Sequence, residues 1–124
     1  MPTTYGPEFD RDERADILLA GPRALTVSGI PLTRPDWNCT LGNLWVSARS
    51  GAGTTPTLTV DLRVGATTIL HTPISVTAGG WTAGTPAANA AIPAGAVLSA
   101  TLTIGGALPL WDDSAIRFDL LRSW

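Results

Sequence analysis

The chain has 124 residues, a net charge of −2 and a hydrophobic content of 44%. That is one domain's worth, and a domain of this size buries about two-thirds of its unfolded surface, enough to fold without a disulfide or a metal. All the basic residues are arginine and they form no run, which argues against a partner held through nucleic-acid phosphates. The single cysteine, Cys39, excludes an intrachain disulfide, and the single histidine, His71, excludes a Cys/His metal cluster.

Met1–Pro7 lacks the basic and apolar regions of a signal peptide, and no apolar run approaches the ~20 residues that cross a bilayer. A soluble protein that leaves membranes alone is expected. Residues 1–14 carry mixed charge between Pro2, Gly6 and Pro7, and read as an extended arm or a disordered terminus that orders on a neighbour. Asp12–Ala20 admits either a strand or a short helix, since Arg, Glu, Ala and Leu favour helix. Arg23–Val27 reads as extended. Ile30–Pro35 reads as a connector, because each proline removes a backbone donor. Residues 1–40 are therefore expected to be an arm and connector with one or two strands, and residues 41–124 a β domain.

Leu44–Arg49 reads as a strand with Leu44, Val46 and Ala48 on one face. Ser50–Pro56 reads as a flexible turn. Thr57–Val64 alternates most cleanly: Leu58, Val60, Leu62 and Val64 fall on one side, Thr57, Thr59, Asp61 and Arg63 on the other, as a strand with one buried face requires. Gly65-Ala66 is a tight reversal, after which Thr67–His71 pairs back as a hairpin. Pro73 interrupts, and Ile74–Thr77 continues. Ala78–Ala91 reads as a long loop holding Trp81, and Ile92–Ala96 as a turn. Val97–Ile104 is a strand with Leu98, Ala100, Leu102 and Ile104 inward. Gly105–Asp113 reads as a loop holding Trp111. The last strand is Ala115–Arg122, with Ile116, Phe118 and Leu120 on one face. These elements predict an all-β, antiparallel two-sheet β-sandwich, jelly-roll-like, with an extended N-terminal arm.

The run Leu44–Arg49, a Gly/Thr turn, Leu58–Leu70, Ile74–Gly79, an Ala-rich loop and Ile92–Leu102 resembles the small β-sandwich domains of tailed-bacteriophage virion proteins. Those domains share a strand ending in a Val-Asp hairpin with a Gly-Thr return, an Ala-Gly turn, and an Ala-Gly turn that enters a late strand. Gly65-Ala66 and Gly95-Ala96 depart from the usual Asn-Gly and Gly-Asp. The resemblance covers about residues 41–122 and leaves the first forty unmatched. It implies a virion surface component, in head decoration, a head fibre or spike base, or a tail appendage, assembled as a homo-oligomer with a trimer favoured.

No constellation for catalysis is evident. His71 lacks a nucleophile, and only Asp61 stands near it across the hairpin. Asp112-Asp113 is the only acidic pair of the β region, and adjacent carboxylates converge only in a loop. Gly79-Gly80 and Gly105-Gly106 lack the strand-to-helix context and the Lys of a phosphate loop. Cys39 reads as a small buried or half-buried hydrophobe. Neither a cofactor nor a metal is expected, and a small hydrolase is the least favoured reading. The tryptophans remain. Trp45 lies opposite the Leu44/Val46 face, and Trp81 and Trp111 are placed in loops. All three are candidates for an interface or a glycan contact.

The expectation is a non-enzymatic structural protein of a phage or phage-like virion, on the particle surface and assembled in the host cytoplasm. Its partners would be other virion proteins. The alternative is a carbohydrate-binding module for a host receptor, using Trp81 and Trp111 with Asp112, Asp113 or Asn89.

Overall fold

The computed structural model describes residues 12–122. Most of the expected arm, residues 1–11, lies outside them. The described residues form an all-β, antiparallel two-sheet sandwich without a helix. Its frame is a pair of very long strands, β3 (Cys39–Val64) and β8 (Leu98–Arg122), preceded by β1 (Asp12–Arg23) and β2 (Val27–Thr33). Four short strands complete it: β4 (Thr67–Thr68), β5 (Ile74–Ser75), β6 (Trp81–Gly84) and β7 (Ala91–Ile92).

The long strands pair along their whole length and belong to both layers. Sheet one holds β1, the C-terminal half of β8, the N-terminal half of β3, and β6 and β7 at the far edge. Sheet two holds β2, the N-terminal half of β8, the C-terminal half of β3, and β4 and β5. Between the halves the β3–β8 ribbon bends, and its register slips at Ala52/Thr54 and at Thr54/Thr57. Gly53 (φ 116°) and Gly106 (φ 102°) adopt the positive φ that a residue with a Cβ resists.

This bend corrects two expectations. Ser50–Pro56 is not a turn and Gly105–Asp113 is not a loop; each pairs with the other as the middle of a continuous strand. Their Gly, Thr and Pro content marks a corner in a ribbon, where curvature is wanted, and not a break in the ladder. Four further corrections concern the edges. The Ala78–Ala91 segment contains β6 and the start of β7. Ala24–Thr26 is the connection between β1 and β2, not a strand, while Ile30–Thr33 of the expected connector is half of β2. Pro31 is tolerated there because β2 is an edge strand that needs donors on one side only. The return hairpin strand is confined to Thr67–Thr68, and Leu70 contributes only an isolated bridge to Pro86.

Asp12–Ala20 resolves as strand. Its ambiguity ends because Ala15, Ile17 and Leu19 pack inward on the core while Arg14, Asp16 and Leu18 face out, a period of two that a helix does not give. Every inward set expected of the main strands is buried: Leu44, Val46 and Ala48; Leu58, Val60 and Leu62; Leu98, Ala100 and Leu102; Ile116, Phe118 and Leu120. Val64 and Ile104 close the ends of these rows, half-buried. A register slip between Leu41 and Leu44 turns both side chains inward although they are three apart.

Ser114 is a polar residue in this core. It is 1% exposed, and its hydroxyl has no hydrogen-bond partner among the described residues; the Trp111 Nε1 is likewise buried without a partner there. A buried polar group without a partner costs about 1–3 kcal/mol. Ser114→Ala is therefore expected to keep or raise the thermal midpoint, measured by differential scanning calorimetry. A fall of several degrees would mean that the hydroxyl is satisfied.

Candidate functional site

Sheet one carries the chemistry-bearing side chains on its outer face, and register explains how they meet. One cross-strand row runs Asp16, Arg117, Trp45, Ala83; the next runs Leu18, Ala115, Ser47, Trp81. The first row is bulky. Arg117 pairs with Asp16 and also lies 4.9 Å from the centre of the Trp81 ring. Arg14 reaches across β8, donating through Nε to Asp119 Oδ1 at 2.8 Å, with its guanidinium carbon 5.9 Å from the centre of the Trp45 ring. Guanidinium over indole is favourable because the ring face is electron-rich.

The second row is small in the middle and large at its ends. Ala115 and Ser47 form a low floor between Leu18, 64% exposed, and Trp81, 48% exposed. The result is an open groove of about 420 Å³. One end is closed by Arg49 and Asp113, whose Nε and Oδ2 are 2.7 Å apart. The Gly79-Gly80 turn also lines it, held by the hydrogen bond from Gly79 N to Ala48 O at 2.8 Å. A second depression of about 340 Å³ adjoins, lined by Arg14, Trp45, Arg117 and the same Trp81.

Asp113 is held in an unusual way. Its φ of 48° is the only positive value at a non-glycine among the described residues. Asp tolerates this region better than most residues. Opposite it, the β1 register slips between Leu19 and Pro22, and Gly21 N donates to Asp113 Oδ1 at 2.9 Å. One carboxylate thus caps a bulge in β1 and aligns Arg49 at the groove. The Gly21 amide, then Arg49, holds the Asp113 carboxyl below its ordinary pKa; the Arg14 hydrogen bond does the same for Asp119.

These depressed values contribute to the acid limb of stability, modestly because the paired arginines are exposed and screened by solvent. Each carboxylate contributes fully above the unfolded-state value of about 3.9, and the contribution disappears as pH falls through the lower folded-state value. We expect the urea midpoint to hold from neutral pH to about pH 5 and to fall below about pH 4. The Asp113→Asn/Asp119→Asn double variant should lose less between pH 7 and pH 3 than the parent. Equal losses would contradict the assignment.

The other sequence candidates fall elsewhere. Trp111 lies in β8, not in a loop, and at 3% exposure its ring packs on Gly51 inside the bend. Trp45 is half-buried on the outer face, as its position opposite Leu44 and Val46 implied. Asp112 and Asp113 converge on Arg49 despite lying in a strand, with Asp112 at 3.9 Å. His71 is exposed, and Asp61 accepts from Arg63 and Thr68, so the two form no dyad. Asn89 is exposed in the β6–β7 turn. Cys39 is buried, as expected. Among the described residues, no three His, Cys, Asp or Glu side chains are placed to share a metal ion. No helix there is long and apolar enough to cross a membrane. Sequence reasoning missed Leu18, Ser47, Arg49 and Ala115, because a groove made by small residues between large ones is visible only once strand register is known.

No family model matches the chain, and no curated protein matches it. Among solved structures, a chain from "Structure of infectious bursal disease virus Gx strain" is similar at 15% identity and a TM-score of 0.36. The match covers 91% of this chain and 33% of that one, so this chain spans about a third of the solved chain's length. At that score the likeness carries no weight for function.

Proposed function

We propose that this chain is a non-enzymatic structural protein of a phage or phage-like virion, displayed in several copies on the particle surface as a decoration or as the anchor of a fibre or spike. The observation that carries the reading is the outer edge of sheet one. Among the described residues β1 pairs with β8 alone, so there the other side of Asp12–Leu19 presents an open ladder with neither Pro nor Gly in it. Proteins that stay monomeric usually block such an edge, and an open one accepts a strand from a neighbour. The order and spacing of the hairpin motifs in residues 41–122, similar to virion β-sandwich domains, support the same reading. The partners are then further copies of this chain, a trimer first, and other capsid or tail proteins; nucleic acid and membrane have no part. Residues 1–11, ahead of β1, would serve as the docking arm.

Antibody raised against the purified protein tests this on intact particles of the virus that encodes it. Immunogold labelling at heads or tails, lost when residues 1–11 are deleted, is the expected result. Unlabelled particles, with the protein left in the soluble lysate, would overturn the reading.

A further inference from the structure

We propose that the groove between Leu18 and Trp81 binds a neutral pyranose sugar, stacked on the Trp81 indole and hydrogen-bonded to the Arg49–Asp113 pair. The inference stands on this groove alone and does not depend on particle assembly.

Shape comes first. The face of a β-sheet is normally level with side chains, and here two cross-strand neighbours, Ala115 and Ser47, are small while their flanking partners are large. The concavity of about 420 Å³ falls in the range of small-molecule sites. One wall is the Trp81 indole, still 48% exposed although the Arg117 guanidinium lies 4.9 Å from its ring centre. A pyranose offers an apolar C–H face to such a ring and a rim of hydroxyls at right angles to it.

The polar end suits that rim. Arg49 and Asp113 present a planar donor fork and an acceptor side by side, the combination that satisfies vicinal hydroxyls. Asp113 is kept in a left-handed backbone conformation by two partners, Gly21 N and Arg49. Backbone strain retained beside a cavity is a mark of a pre-organised contact.

Charge selects the class of sugar. Each arginine facing the two depressions is matched: Arg49 by Asp113, Arg117 by Asp16, Arg14 by Asp119. Among the described residues every arginine lining the two depressions is paired with a carboxylate, so a neutral sugar fits better than an acidic one. The adjoining depression, which shares Trp81, leaves room for a second residue of the same glycan.

The test uses neutral oligosaccharides ending in glucose, galactose, mannose or N-acetylhexosamine, with a sialylated set for contrast. Saturation-transfer NMR and tryptophan fluorescence report binding. Two variants probe the groove. Trp81→Ala removes the stacking wall. Gly80→Leu adds bulk to the Gly79-Gly80 turn that lines the groove, where a new Cβ meets no heavy atom within 4 Å and the backbone is not left-handed. At least one neutral class should bind, with binding weakened about tenfold or more by Trp81→Ala and blocked by Gly80→Leu. Three results would overturn the proposal: binding of no neutral sugar, binding unaffected by Gly80→Leu, or a smaller oligomer in Trp81→Ala, which would make the groove a subunit contact.

Discussion

Phe118→Ala is expected to lower unfolding free energy by about 3–5 kcal/mol, the usual loss for a buried phenylalanine. Phe118 is 0% exposed and is the largest of the fully buried side chains. It sits in the central strand of sheet one, opposite Ala15 of β1 and Leu44 of β3. Its removal therefore opens a cavity bounded by strands paired on both sides, which have little freedom to collapse into it. Domains of this size carry only about 5–15 kcal/mol in all, so the variant should stand near the edge of folding at 37 °C. Leu121, three residues on and 40% exposed, is the matched control. Leu121→Ala should change stability by no more than about 0.5–1 kcal/mol. Urea unfolding followed by circular dichroism measures both, and similar losses for the pair would contradict the inside-outside assignment of β8.

The second large effect separates two tryptophans that look alike in the sequence. Trp111→Ala should cost about 3–5 kcal/mol, because the ring is 3% exposed and fills the bend of the β3–β8 ribbon. The same contact makes Gly51 irreplaceable by size: a Cβ there would lie 2.9 Å from the Trp111 ring. Trp81→Ala should cost about 1 kcal/mol at most, chiefly the lost contact with the Arg117 guanidinium, as its ring is half in solvent. Denaturant midpoints of the two variants give the comparison, with the reverse order as the contradicting result.

That contrast also marks where sequence legibility stopped. Alternation in Thr57–Val64, Val97–Ile104 and Ala115–Arg122 identified the strands and their inner faces, since burial on one side imposes the period directly. Gly65-Ala66 was legible as a reversal for the same local reason. What failed was continuity. Gly, Thr and Pro at Ser50–Pro56 and Gly105–Asp113 signal curvature, and sequence alone does not say whether a curved segment leaves the ladder or stays in it. Trp111 was placed in a loop in consequence, when the ribbon turns around its ring. The groove was illegible for a related reason. Leu18, Ala115, Ser47 and Trp81 lie far apart in the chain and meet only through the pairing of four strands. Of the site, Trp81, Trp45 and Asp113 were legible beforehand, the tryptophans by side-chain type and Asp113 by its acidic neighbour Asp112, and none by a cross-strand partner.

The proposed virion role requires copies to associate through the β1 edge, which is open among the described residues. Light scattering coupled to size-exclusion chromatography, across protein concentrations, tests it most directly. The expected mass is a multiple of the 12.9 kDa chain, three copies first, unchanged in Trp81→Ala and reduced when β1 is made unable to pair outward. A single 12.9 kDa species at the highest concentration attainable would contradict it.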